Sequence, residues 1–202
     1  MQPMRIIACG ALAREIQAVI RANGWQHVVV DCLPPALHNR PDRIPEAVGE
    51  KLSQVDRTRE RVFVAYADCG TGGLLDRVLA EHGVERLPGA HCYQFYAGMQ
   101  EFEDMAAEEP GTFYLTDFLA RHFERLVMEE LGIRKHPELA GLYFGHYRRL
   151  FYLAQREDEE LLERARRAAD QLGLPFQYRV TGYRGLAQPI AGFARGARSW
   201  PA

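Results

Sequence analysis

Short apolar runs alternate with amphipathic segments through the first half of the chain, a pattern met by a mostly parallel sheet covered by helices. Arg5-Ile6-Ile7-Ala8-Cys9 reads as a first strand running into Gly10. Leu12, Ile16, Val19 and Ile20 then share one helical face, and Asn23-Gly24 ends that helix. His27 to Asp31 predicts a second strand, followed by a Pro34-Pro35 loop and a helix beginning near Pro41 or Pro45. Arg61 to Tyr66 is the strongest strand in the chain. It empties into Asp68-Cys69-Gly70-Thr71-Gly72-Gly73 ahead of a helix from Leu74 to Glu81. Val84 to Leu87 is a shorter strand candidate, closed by Pro88-Gly89 and leading to His91-Cys92.

From Thr116 the pattern turns mainly helical. Thr116-Asp117 is placed to cap a helix carrying Phe118, Leu119, His122, Phe123 and Leu126, and a further helix is expected from Leu139 to Leu153. On the latter, Arg148 and Arg149 read as part of a solvated basic face. Arg156 to Gln171 is a highly charged helix, and Phe176 to Val180 returns to the sheet as a final strand. The aromatic runs at Tyr93 to Tyr96 and Phe113-Tyr114 read as core. The expected fold class is therefore α/β, a mostly parallel open sheet with flanking helices and a mainly helical second half. At 202 residues and 47% hydrophobic the chain can bury one sizeable core, so a single domain is expected over 1–190, with a flexible C-terminal tail over 191–202.

The 25 basic and 27 acidic residues nearly balance, which argues against nucleic acid as a partner. The apolar stretches are strand-sized, well short of the roughly 20 residues that cross a bilayer, so no membrane partner is expected. No basic segment followed by a long apolar run and a small-residue cleavage site opens the sequence, and the expected location is the cytoplasm. In that reducing compartment four cysteines read as thiols, ligands or redox groups.

In an open parallel sheet the loops leaving the carboxyl ends of the strands line the edge where ligands bind. Cys9, Cys69 and Cys92, separated by 60 and 23 positions, each stand at or just after a strand end, so the fold would gather them at one rim. Thiolates are strong donors for zinc and for iron–sulfur clusters, and three protein ligands leave one position open to substrate. His38 and His91 stand ready to complete the shell or bind substrate. The chain has no C-x-x-C pair, which weighs against a structural zinc knuckle. Gly10, Gly70 and Gly72 would let backbone amides approach a bound anion, although the loop is neither a P-loop nor a dinucleotide fingerprint. Cys32 reads as a spare thiol beside Leu33-Pro34-Pro35. The competing reading is that cysteine, among the most buried residue types, only fills space after each strand.

Ala8-Cys9-Gly10-Ala11-Leu12, Leu37-His38-Asn39-Arg40-Pro41, Tyr66-Ala67-Asp68-Cys69-Gly70-Thr71-Gly72, His91-Cys92 and Pro110 to Thr116, in that order, resemble the DUF1638 family of bacterial and archaeal proteins of unknown function. The resemblance covers roughly residues 5 to 155. It implies a context of corrinoid-dependent methyltransferases and one-carbon metabolism. The expected function is a metal-binding enzyme or cofactor-handling protein, with Cys9, Cys69 and Cys92 holding zinc or a [4Fe–4S] cluster before a small-molecule substrate. The alternative is a non-catalytic accessory protein docking on a corrinoid protein or methyltransferase.

Overall fold

The computed structural model describes residues 2–195, apart from the side chain of Arg184. The chain divides into two compact units, Met1–Gln94 with Gly185–Ala202, and Phe95–Arg184. The α/β expectation holds in each. No helix among the described residues is long and apolar enough to cross a membrane.

The first unit is built on β1 (Met4–Cys9), β2 (Val28–Leu33) and β3 (Arg61–Ala65), all parallel in the order β2-β1-β3. Central β1 pairs Met4 with both Val28 and Arg61, and its residues from Ile6 to Cys9 are fully buried. That explains its nearly unbroken apolar sequence, since a parallel strand covered on both faces has no polar side to show. The connecting helices are α1 (Ala13–Ala22), α2 (Ile44–Ser53) and α3 (Leu74–His82). Beyond β3, the expected strand at Val84 to Leu87 shortens to one parallel bridge between Val64 and Arg86. Val64 donates to the Glu85 carbonyl and receives from the Leu87 amide, after which Pro88 has no N–H to continue the ladder.

After the short α4 (Gln94–Ala97) comes α5 (Met99–Glu108). The second unit carries its own parallel sheet, β4 (Thr112–Thr116), β5 (Arg149–Ala154) and β6 (Phe176–Val180), in the order β4-β5-β6. Its helices are α6 (Asp117–Phe123), continued by a π-helical turn, then α7 (Leu139–Phe144) and α8 (Glu159–Leu172). Two of its strands depart from the sequence reading. The helix expected from Leu139 to Leu153 stops at Phe144, and its second half is β5, the buried centre of the sheet. Arg149 disguised that strand. Rather than joining a solvated face it is only 7% exposed, donating to Thr112 Oγ1 (2.8 Å), Gln177 Oε1 (2.9 Å) and the Met105 carbonyl (3.0 Å). The Phe113-Tyr114 run is strand β4.

The last described helix, α9 (Arg184–Ala194), occupies the start of the expected tail. Leu186 and Ile190 are fully buried, and Phe193 stacks on Phe63 with ring centroids 5.0 Å apart. Residues 196–202 of that tail lie outside the described residues.

Helix α8 starts at Asp158, whose carboxylate accepts from the Leu161 amide at 3.1 Å. That hydrogen bond is the main reason the Asp158 pKa lies below the ordinary aspartate value, with Arg156 adding to it. A carboxylate whose folded pKa is depressed stabilises the fold above its unfolded pKa, and the benefit is lost as pH falls through the lower, folded value. Asp158→Ala is expected to cost about 1 kcal/mol at neutral pH in urea titrations. The gap from wild type should close as the pH is lowered through the acid range; a gap that persists there would contradict the capping role.

Candidate functional site

Parallel pairing sets the site. Cys9 is the last residue of β1 and faces Leu33, the last residue of β2, so the chain leaves both strands at one edge. Gly10 follows at once, and a Cβ there would lie 3.0 Å from both the Leu33 carbonyl and Pro35 Cδ. The glycine is therefore needed for the close approach of two chain segments. Pro35 opens a 3₁₀ helix, Pro35–Asn39, that carries His38 back over the end of β1. The Cys9 sulfur, itself 0% exposed, stands 3.5 Å from His38 Nδ1 and accepts from the Ala11 amide at 3.4 Å.

The β3 edge supplies the other thiols. Past Ala65 the chain continues through buried Tyr66 and Ala67 to Asp68, which donates its amide to the Gly89 carbonyl (3.1 Å), while Cys69 donates to Ala90 (2.8 Å). These bonds tie the Cys69 turn to the segment that leads into Cys92. The two sulfurs stand 3.0 Å apart, and the ligand atoms of His38, Cys69 and Cys92 lie within 4.8 Å of one another. Cys69 has φ of 50°, the one non-glycine positive φ among the described residues. Residues held in that region cluster at functional sites, where surrounding structure offsets the strain.

The glycine-rich loop behaves differently from its sequence reading. Gly70, Gly72 and Gly73 take positive φ, but the loop closes on its own acid. Asp68 accepts from the amides of Gly72 (3.2 Å) and Gly73 (2.9 Å) and from the Thr71 hydroxyl (2.8 Å). The Gly72 amide expected to meet an anion thus already has a carboxylate, and Gly70 serves the turn next to Cys69. Of the two candidate histidines, His38 joins the thiols. His91 is exposed, with its ring 6.4 Å from that of Tyr93. Cys32 is exposed on β2, and loss of solvent followed by the charges of Cys9 and Asp31 pushes its thiol pKa up.

The electrostatics follow from two sulfurs sharing a proton beside an imidazole. The hydrogen bond from Cys92 is the largest influence lowering the Cys69 pKa, and His38 lowers it further against the opposing effect of burial. The same bond, with burial, drives Cys92 well upward, so of the pair Cys69 is the readier to ionise. Loss of solvent disfavours a charged His38, but hydrogen bonding to Cys69 and Cys9 outweighs it and raises the imidazole to about 10. Deeper in, Tyr66 is fully buried and its hydroxyl has no hydrogen-bond partner. Burial first, then the surrounding Cys9, Cys92 and Cys69, hold that phenol protonated. Sequence reading passed over Tyr66 as the end of an apolar strand. Its position three residues before Cys69 was the available signal.

Such a cluster offers an activated thiolate or a set of soft metal donors. Iodoacetamide near neutral pH is expected to modify Cys69 before Cys32, although Cys32 is the more exposed residue. Peptide mass spectrometry over a time course checks the order, and His38→Ala should slow Cys69 specifically. Faster labelling of Cys32 would show that Cys69 is not the thiolate.

Residues 32–190 match the family described as "Protein of unknown function (DUF1638)". The match includes His38, Cys69 and Cys92, while Cys9 precedes it. No curated protein matches the chain.

Proposed function

Since the chain belongs to the DUF1638 family, whose description assigns no activity, we propose from the site itself that His38, Cys69 and Cys92 hold a single zinc ion and leave its fourth position open. The observation that carries this reading is the approach of the His38 imidazole and the sulfurs of Cys69 and Cys92 at the carboxyl edge of one sheet. Zinc bound by sulfur at about 2.3 Å and nitrogen at about 2.0 Å in a tetrahedron sets ligand N···S near ~3.6 Å and S···S near ~3.8 Å. The ligand atoms of His38, Cys69 and Cys92 lie within 4.8 Å of one another, and the Cys69–Cys92 pair at 3.0 Å needs to open by about 0.8 Å. An iron–sulfur cluster suits the pair less well, because its cysteines bind different irons and stand farther apart than thiolates sharing one ion.

The chain's own groups support the donors. The Ala11 amide donates to the Cys9 sulfur beside His38, and the turn at Cys69 is fixed by its hydrogen bond to Ala90. Tyr66 supplies a buried O–H with no partner of its own, a donor suited to orienting a ligand sulfur. Because His38 is exposed while Cys9 and Cys92 are buried, substrate would approach from the His38 side. When bound, zinc supplies a Lewis acid that activates a coordinated thiol. Thiol or methyl-acceptor chemistry, as in the corrinoid context that the family resemblance implies, is the substrate class proposed.

Protein purified without oxygen should contain about one zinc per chain and show no broad absorbance near 400 nm. Cys69→Ser, checked by circular dichroism, should lose most of that metal. About four irons with the 400 nm band would replace zinc by a cluster, and wild type without stoichiometric metal would overturn the reading.

A further inference from the structure

We propose that Cys69 and Cys92 form a redox-active dithiol that closes to an intramolecular disulfide by exchange with low-molecular-weight disulfides. The proposal stands on the metal-free thiols and is independent of zinc. Their sulfurs are already 3.0 Å apart, so bonding at about 2.05 Å needs a closure of roughly one ångström. The backbone is fixed for it: the hydrogen bonds from Asp68 to Gly89 and from Cys69 to Ala90 hold the two segments side by side.

Access divides the roles between the two residues. Cys69 is half-buried, on a turn whose next residue, Gly70, is exposed, whereas Cys92 is 8% exposed. An external disulfide therefore meets Cys69 first, and Cys92 is reached only from within. Of the remaining thiols, Cys9 is buried against His38 and Cys32 is exposed on β2.

The exchange balances. The Cys69 thiolate attacks one sulfur of the external disulfide, forming a mixed disulfide and expelling one thiolate. Cys92 then loses its proton to that thiolate, and its sulfur attacks the Cys69 sulfur and expels the second thiolate. From the Cys69 thiolate and the Cys92 thiol the pair gives up two electrons and one proton, and the external disulfide becomes one thiol and one thiolate, which takes its proton from solvent.

The test uses full-length protein, stripped of metal by a chelator and incubated with glutathione disulfide. Wild type should lose about two mass units, and peptide mapping should join the peptides carrying Cys69 and Cys92. Cys92→Ser should instead stop as a stable glutathione adduct on Cys69, while Cys69→Ser should react at least about tenfold more slowly at Cys92. The wild-type map is decisive even if a variant fails to fold. A map that joins Cys9 to Cys92, or finds only an adduct on Cys32, overturns the proposal. Absence of zinc from the purified protein would defeat the metal reading and leave this readout unchanged.

Discussion

A parallel ladder delivers the carboxyl end of every strand to the same edge, and in the first unit this gathers the thiols and His38. Because β1 pairs in register with both neighbours, residues far apart in sequence leave the sheet together. Cys9 ends β1, His38 follows β2, Cys69 follows β3, and Cys92 follows the segment hydrogen-bonded alongside β3. Burial of Ile6, Ile7, Phe63 and Val64 holds that ladder, so the core residues support the geometry of a site they do not touch. The site thus inherits the stiffness of a sheet more than of a loop.

The local charge balance follows from the same convergence. Several thiols at one edge cannot all ionise cheaply, since each thiolate raises the cost of the next. The arrangement settles on a thiolate at Cys69, a proton kept by Cys92, and a positively charged His38 facing Cys9. A cation there answers the charge of the sulfurs, which is what a metal ion would also do.

Much of this edge was legible from strand ends alone. Cys9, Cys69 and Cys92 each stand at the end of an apolar run, and the edge rule for parallel sheets puts them at one rim, where Cys69 meets Cys92 and Cys9 meets His38. Choosing His38 over His91 was beyond sequence, because it depends on a 3₁₀ turn folding back over β1, while adjacency to Cys92 says nothing about where a ring points. The glycine loop misled for a related reason: Asp68, which occupies its amides, looks in sequence like one more loop polar residue. In the second unit the loss was larger. Arg149 sits inside a run that otherwise has strand character, and a charged residue in a central strand is expected only if several partners await it. Its partners, Thr112, Gln177 and Met105, lie 37, 28 and 44 positions away, beyond the reach of local patterning.

The two sheets treat equivalent edges in opposite ways, and the contrast bears on which is chemical. After β4 and β5, Asp117 accepts from the Tyr152 hydroxyl (2.7 Å) and the Gln155 amide (3.0 Å), and the Gln155 side chain accepts from the Asp117 amide (2.7 Å). That network is buried and closed, as a structural polar cluster should be. At the first unit's edge, a buried tyrosine hydroxyl has no partner, a thiolate is held next to a thiol, and a non-glycine residue sits at positive φ. Folding alone gives no reason to keep such features together, since apolar replacements would be less costly. The thiol edge of the first sheet thus leaves polar and sulfur groups open where the second sheet closes its own into a network.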